Sequence, residues 1–316
     1  MQAKILFLAK FIKKNIMQQP PVKNRAILIL GIGLISVSFA SIFIKLCEAP
    51  ALVIAVYRLT ISSLFYCGFT RLKQGKIWSA FSKSQLKVIV ISAVFLTIHF
   101  ATWITSLKFT SVASSVVLVQ SSPIFVAFGS IIFLKERPPA LMITGALIAL
   151  FGTVIISVHD FSQDSSSLTG NLLAISGAVG AAGYLLAGRK LRAEIDTFRY
   201  VTVVYSITAI LLLIITLMSG APLFAYNSKV YLLFFAIAIF PQIIGHTSIN
   251  WALKFFSATA VSIIILGEPI GASILAFFIL GENLTLIKII GGVVILGGVL
   301  IALLAEAKIN NSKSRQ

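Results

Sequence analysis

Ser106–Pro138 reads SLKFTSVASSVVLVQSSPIFVAFGSIIFLKERP, and 146 residues later Ala252–Leu284 reads ALKFFSATAVSIIILGEPIGASILAFFILGENL. Leu107-Lys108-Phe109 falls on Leu253-Lys254-Phe255, Pro123 on Pro269 and Glu136 on Glu282. The register continues without a gap, so Gly145 falls on Gly291 and Gly152 on Gly298. Both copies are apolar over lengths that suit a bilayer. A chain with such an internal duplication is built from two similar membrane halves, an arrangement that places a central site between them.

Composition agrees. The chain of 316 residues is 58% hydrophobic and 11% charged, with mean hydropathy +1.02, more apolar surface than a soluble domain of this size can hide. Apolar runs near the ~20 residues needed to span a bilayer are expected at 26–46, 51–70, 86–107, 112–134, 141–158, 170–188, 200–219, 230–252, 258–280 and 286–305. Their uniform apolarity, without alternation, indicates helices rather than barrel strands. The expected organisation is a basic segment 1–25, a first five-helix repeat 26–158, a second repeat 159–305 and a tail 306–316.

The net charge of +17 does not call for nucleic acid. With both termini in the cytoplasm, 21 of the 26 Lys and Arg residues fall on the cytoplasmic side. Lys45, Lys108, Lys229 and Lys288 fall on the other side, and Arg58 lies within a span. This is the positive-inside bias, and it reports topology. Five helices per half is an odd number, so the second half enters from the opposite face as an inverted repeat. Such a pair provides two conformations of similar energy around one site. Duplicated halves can also simply make a stable bundle.

Segment 1–17 is interrupted by Lys10, Lys13 and Lys14, so it reads as neither signal peptide nor span. Ile5, Leu8, Phe11, Ile12 and Ile16 could line a helix on the inner membrane surface, or the segment could be a frayed tail. Cys47 and Cys67 fall near opposite faces of the bilayer, roughly 25–30 Å apart. A disulfide needs Cα atoms within about 7 Å, so two free thiols are expected.

Several polar residues sit where they are expensive. Glu268 lies near the middle of the ninth span, between Gly267 and Pro269, and its repeat-mate is Ser122. A carboxylate there must be paired, hydrated or protonated. It reads as a ligand for a substrate ammonium, as a proton-coupling group, or as half of a buried ion pair with Arg58 on the second span. His99, Thr102, Trp103 and Ser106 share one helix face at spacings of three and four. Gln242, His246 and Asn250 form a broader stripe on the eighth span. These two stripes occupy corresponding helices of the two halves and outline a pathway, joined by Gln120. Either histidine could equally be an interhelical hydrogen-bond donor.

Of the aromatic residues, Tyr57, Trp103, Tyr184, Tyr205 and Trp251 could stack on a flat or cationic ligand, although most aromatics in ten membrane helices pack or anchor. Pro123 and Pro269 lie mid-span and break the backbone ladder, as hinges or as kinks that shape a cavity. Gly145/Gly152 and Gly291/Gly298, at i and i+7, each share a face and invite close packing. No metal-ligand set, phosphate loop or nucleophile–base pair stands out, so neither cofactor nor catalysis is expected.

Val56–Leu64 (VYRLTISSL), His99–Trp103 (HFATW), Ser106–Pro138, Gly245–Leu253 (GHTSINWAL) and Gly267-Glu268-Pro269 resemble the EamA branch of the drug/metabolite transporter superfamily. The resemblance covers roughly residues 30–305. It implies ten helices, cytoplasmic termini and movement of small organic metabolites or drugs across a prokaryotic inner membrane. Members of similar appearance carry amino acids, nucleosides, S-adenosylmethionine or toxic compounds, and many are exporters. The sequence expectation is therefore a secondary transporter working by alternating access, with export the expected direction and protons a candidate coupling ion. Its partners would be a small-molecule substrate and the lipid bilayer, with no required protein subunit. The rival reading is a non-transporting membrane scaffold or accessory subunit.

Overall fold

The computed structural model describes residues 21–75, 81–110, 112–161, 168–192, 194–281 and 283–313. The expected surface helix at 1–17 and the repeat residue Glu282 lie outside them. All the elements among the described residues are helices. The first three spans are α1 (Pro21–Leu46), α2 (Ala51–Gln74) and α3 (Lys83–Ser106). The fourth consists of α4 (Val112–Val119), α5 (Ser122–Gly129) and a π-helical end, Ser130–Leu134. Then follow α6 (Ala140–Phe161), α7 (Leu168–Leu191) and α8 (Thr197–Met218). The eighth span runs through α9 (Ser228–Ile237), a π-helical stretch (Ala238–His246) and α10 (Thr247–Ala252). The ninth is α11 (Ala258–Ile265) plus α12 (Glu268–Leu280), and α13 (Leu286–Lys313) is the tenth.

Among the described residues, nine spans are long and apolar enough to cross a membrane, and the apolar part of α6, Ala140–Ile156, is a shorter tenth. Polar caps start several of them. Ser82 and Gln85 form a capping box at α3, and the Asp196 side chain accepts from the Phe198 and Arg199 amides at α8. Asn227 and Ser257 cap α9 and α11 in the same way. Each satisfies amides that have no partner within the helix. Leu28, Ile35, Phe128, Phe133 and Val293 are exposed on the outer surface of the bundle, where lipid, not water, is their solvent.

The packing respects the duplication. α6 packs on α13 and α2 on α8, each helix against its own repeat-mate. α3 packs on α7, and the eighth span packs correspondingly on α1. The fourth span packs on α7 as the ninth packs on α1. Exchanging the halves leaves this pattern unchanged, as an inverted pair of five-helix repeats requires.

Four glycines fix the α6–α13 seam. A Cβ at Gly298 would stand 2.5 Å from both the Gly145 carbonyl and the Ala149 amide nitrogen, and one at Gly145 only 2.6 Å from the Gly298 carbonyl. Gly152 and Gly291 repeat the arrangement, each placing a Cβ 2.8 Å from the other's carbonyl. Membrane helices associate through such close backbone contact, since lipid gives no hydrophobic drive between them. Gly298→Ala is therefore expected to destabilise the protein by about 1–3 kcal/mol through overpacking. Gly297→Ala, whose Cβ would meet nothing within 4 Å, gains helix propensity instead. Thermal unfolding of the two variants in detergent checks the contrast.

Three spans are interrupted, two of them at the prolines expected to break the backbone ladder. The fourth breaks at Gln120-Ser121, where the Ser121 amide donates to Leu118 O (3.2 Å) and the Ile124 amide to Ser121 O (3.0 Å). The ninth breaks at Leu266-Gly267, with the Ile270 amide donating to Gly267 O at 3.1 Å. In each, a proline in the first turn of the second half-helix lacks the N–H and clashes with the preceding turn. The eighth is distorted around Pro241 into its π-helical stretch. The last helix also continues beyond Ala305. Glu306, 5% exposed, accepts from the Ser257 amide and hydroxyl at 2.9 Å each, which ties the start of the tail to the N-terminus of α11.

Candidate functional site

The two breaks face each other across the middle of the bundle and border a cavity of about 90 Å³. Arg58, His99, Trp103, Gln120, His246 and Glu268 line it, with Ser41, Ser122, Tyr184 and Pro269. Six of the eight residues singled out for a pathway thus converge on one space. The other two stand behind it. Gln242 is fully buried and its Oε1 accepts from Arg58 Nε at 2.6 Å. Asn250, also fully buried, donates through Nδ2 to the Tyr184 hydroxyl and, at 2.7 Å, to the His246 carbonyl. The His99 stripe divides in the same way. His99 and Trp103 stack at 5.6 Å on the cavity wall, whereas Thr102 bonds back to Ile98 O and Ser106 to Trp103 O and Ser115.

Charge in the cavity is sparse and incompletely met. The Arg58 guanidinium, 1% exposed, lies 4.3 Å over the Phe100 ring, a contact that stabilises a desolvated cation. Its Nη1 has no hydrogen-bond partner. Glu268 accepts from Gln120 Nε2 at 3.3 Å, and its carbonyl is fixed by Ser38 Oγ at 3.2 Å. Arg58 and Glu268 border the same cavity but form no ion pair, so of the readings open for Glu268 the direct buried pair with Arg58 is not the one seen. Arg189 and Glu136, elsewhere in the bundle, do form an ion pair, at 3.0 Å.

Ser41 Oγ, Trp103 Nε1 and His246 Nδ1 are also buried without partners. His99 contributes more specifically. Its Nδ1 lies 2.9 Å from the Gly177 carbonyl, which can only accept, so Nδ1 carries a proton and, in the neutral ring, Nε2 is the acceptor. The backbones of α3 and α7 are close enough for this because a Cβ at Gly180 would meet His99 N at 2.6 Å. Buried polar atoms are normally satisfied. A group of unsatisfied ones around one cavity marks a place for a polar ligand or water, and 90 Å³ is room for about three waters at liquid density.

Of the remaining aromatics, Tyr57 stacks on Phe234 at 4.2 Å and Trp251 meets Phe255 at a tilt at 4.6 Å, both as packing. Tyr205 is fully buried beside Thr247. Tyr184 is the one besides Trp103 that reaches the cavity. Pro269 lines the cavity, whereas Pro123 is buried and its neighbour Ser122 does so. Ser41 on the cavity wall and Phe100 beneath Arg58 went unnoticed in the sequence. Nothing in a helix-face pattern separates a hydroxyl aimed at a cavity, or a ring beneath a cation, from one aimed at a neighbour.

Ser41, Trp103, Val116, Pro269 and Ala272 are shared with a second space of about 330 Å³. It opens toward the end of the bundle where α1 finishes. Lys45, Lys108 and Lys288 line it, and its lining includes no carboxylate. Cys47, also on its wall, is free, as is Cys67. Burial first, and Glu48 second, push the Cys47 thiol up to about 11, so at neutral pH it stays protonated and is a poor nucleophile.

The other end is closed. Arg189 Nε and Nη2 donate to Glu136 Oε1 at 3.1 and 3.0 Å, and Nη1 donates to the Leu253 carbonyl at 2.8 Å. One side chain thus joins the ends of the fourth, sixth and eighth spans. Ser130 and Thr259 hydroxyls, 3.3 Å apart, join the fourth and ninth.

Comparison with known proteins agrees with this arrangement. The EamA-like transporter family model matches residues 24–158 and again 168–304. The chain is 25% identical over 281 residues to an uncharacterized transporter of Archaeoglobus fulgidus, covering 88% of this chain and 96% of that one. It is 26% identical to the uncharacterized inner membrane transporter YicL of Salmonella typhimurium, over 78% and 83% of the two chains. A crystal structure superposes with TM-score 0.77 at 18% identity, over 90% of this chain and 99% of that one, and so shares the fold. Two matched repeats spanning most of its length show that the chain belongs to the EamA-like transporter family, whose members are membrane transporters rather than enzymes.

Proposed function

We propose that this protein exports a small polar organic metabolite or drug, amino acid-, nucleoside- or S-adenosylmethionine-like, across the inner membrane by alternating access. The observation that carries the proposal is the cavity between the broken fourth and ninth spans. It holds one guanidinium and one carboxylate that do not pair with each other. Glu268 would bind an amine, or a proton if a proton gradient drives the cycle. Arg58 would bind an anionic group, and Trp103 and Tyr184 would pack on a flat portion. His99 Nε2 and His246 Nδ1 would orient polar groups. The charge asymmetry of the loops supports cytoplasmic termini, which makes the lysine-lined space the outer vestibule and the Arg189–Glu136 end the inner one. Pro123 and Pro269 would act as pivots.

Counterflow in proteoliposomes of the purified protein tests this. Labelled amino acids, nucleosides and S-adenosylmethionine are offered to vesicles preloaded with the same unlabelled compound. Accumulation of one class that disappears with Glu268→Gln is the expected result. Accumulation unaffected by that substitution would remove Glu268 from the pathway.

A further inference from the structure

Arg192, one residue beyond α7, is 2% exposed, and its Nε, Nη1 and Nη2 all lack a hydrogen-bond partner. Its guanidinium lies 4.2 Å over the Tyr200 ring. Asp196 attracts it from beyond hydrogen-bond reach, and the Asp196 Oδ1 already accepts from the α8 amides and from Gln74. A guanidinium with five donors and no hydrogen-bond acceptor is costly to bury, and one ring face with a carboxylate at a distance offsets that cost only in part.

A polar seam leads from the central cavity to this residue. Tyr184 on the cavity wall accepts from Asn250, whose Oδ1 has no partner. A Cβ at Gly188 would stand 3.4 Å from that Oδ1 and 3.2 Å from the Tyr200 hydroxyl, so both flank the same glycine. Tyr200 in turn bonds Ser92 at 2.6 Å and carries Arg192 on its face.

The internal repeat says what this seam becomes. Ile54, Ile104, Leu107 and Ala276 line the open vestibule. At the repeat spacing of 146 they fall on Tyr200, Asn250, Leu253 and Ser130. α1 ends at Leu46 and α7 at Leu191, a spacing of 145, which sets Arg192 on the vestibule residue Cys47. If the halves exchange conformations, the seam opens as the inner vestibule and Arg192 enters it.

We propose that Arg192 is a second, state-dependent oxyanion site. It is shut in this conformation and, once the inner end opens, receives the carboxylate or phosphate group released by Arg58. The proposal rests on the alternating-access reading above and narrows its substrate to compounds bearing an anionic group.

The test uses phenylglyoxal, which modifies accessible arginine, on the full-length protein, with Arg192 followed by peptide mass spectrometry. Glu136→Gln, which weakens the Arg189 latch, should raise Arg192 modification several-fold over wild type. Inorganic phosphate should lower it several-fold, in detergent micelles without phospholipid as well as in liposomes. Modification indifferent to phosphate would overturn the anion site and leave the opening of the inner end intact. Protection that requires phospholipid would assign the guanidinium to a lipid headgroup and also overturn it. No modification in either protein, while exposed Arg71 reacts, would overturn it because the inner end stays shut. A positive counterflow signal alongside that last result would keep the carrier reading and reject only Arg192.

Discussion

Glu268→Gln is expected to lower transport by roughly 10- to 150-fold while leaving the unfolding temperature nearly unchanged. Glutamine keeps the shape and an acceptor for Gln120 Nε2, now 3.3 Å from a carboxylate oxygen, but it can neither carry negative charge nor exchange a proton. The loss corresponds to one charge-assisted contact of about 1.5–3 kcal/mol. Because the carboxylate is not within ion-pair distance of Arg58, removing its charge breaks no direct contact and costs only a longer-range attraction to that buried cation, so the fold should tolerate the change. A readout that pairs counterflow with thermal unfolding in the same detergent separates these effects. A large drop in stability would instead make Glu268 a structural residue.

The second large effect concerns Arg58. Alone, Arg58→Met should abolish transport and destabilise the protein by about 1–3 kcal/mol, because Gln242 Oε1 loses the donor it has at 2.6 Å and remains buried and unsatisfied. Adding Gln242→Leu removes that group too. The double variant should regain or exceed wild-type stability, since buried ionic groups replaced by apolar ones of similar size are often neutral or stabilising. Transport should stay absent. That combination identifies the guanidinium as kept for its chemistry. Should the double variant be less stable than the single one, the pair would be holding the bundle together, as a scaffold would require.

Much of this architecture was legible because apolar length and a repeat at constant spacing are one-dimensional signals. The spans, the glycine seam and the prolines that break the fourth and ninth helices all belong to that class. The helix-face pattern also indicated His99, Trp103 and His246, and depth within its span indicated Glu268. The pattern could not resolve a broad stripe into its middle and its edges. His246 faces the cavity, whereas Gln242 on one edge serves Arg58 and Asn250 on the other serves Tyr184. The local distortion at Pro241 shifts the helical phase on which such a projection depends. The Arg58–Glu268 pairing failed for a related reason. Depth along the membrane normal follows from residue counting, but the direction of a side chain around the helix axis follows from packing. Arg189 and Arg192 looked like ordinary topology charges. Only tertiary contacts show that one bridges three spans and that the other is buried without a partner.

The most direct measurement of two-sided access uses Ser122→Cys, on the cavity wall, with Cys47 and Cys67 replaced by serine. The protein is reconstituted in vesicles of known orientation, and a membrane-impermeant thiol reagent is added to one face at a time. A carrier predicts labelling from either face, with Glu136→Gln raising the inner rate and lowering the outer one. Labelling from a single face in both proteins, or from both faces at rates the latch does not alter, would contradict alternating access.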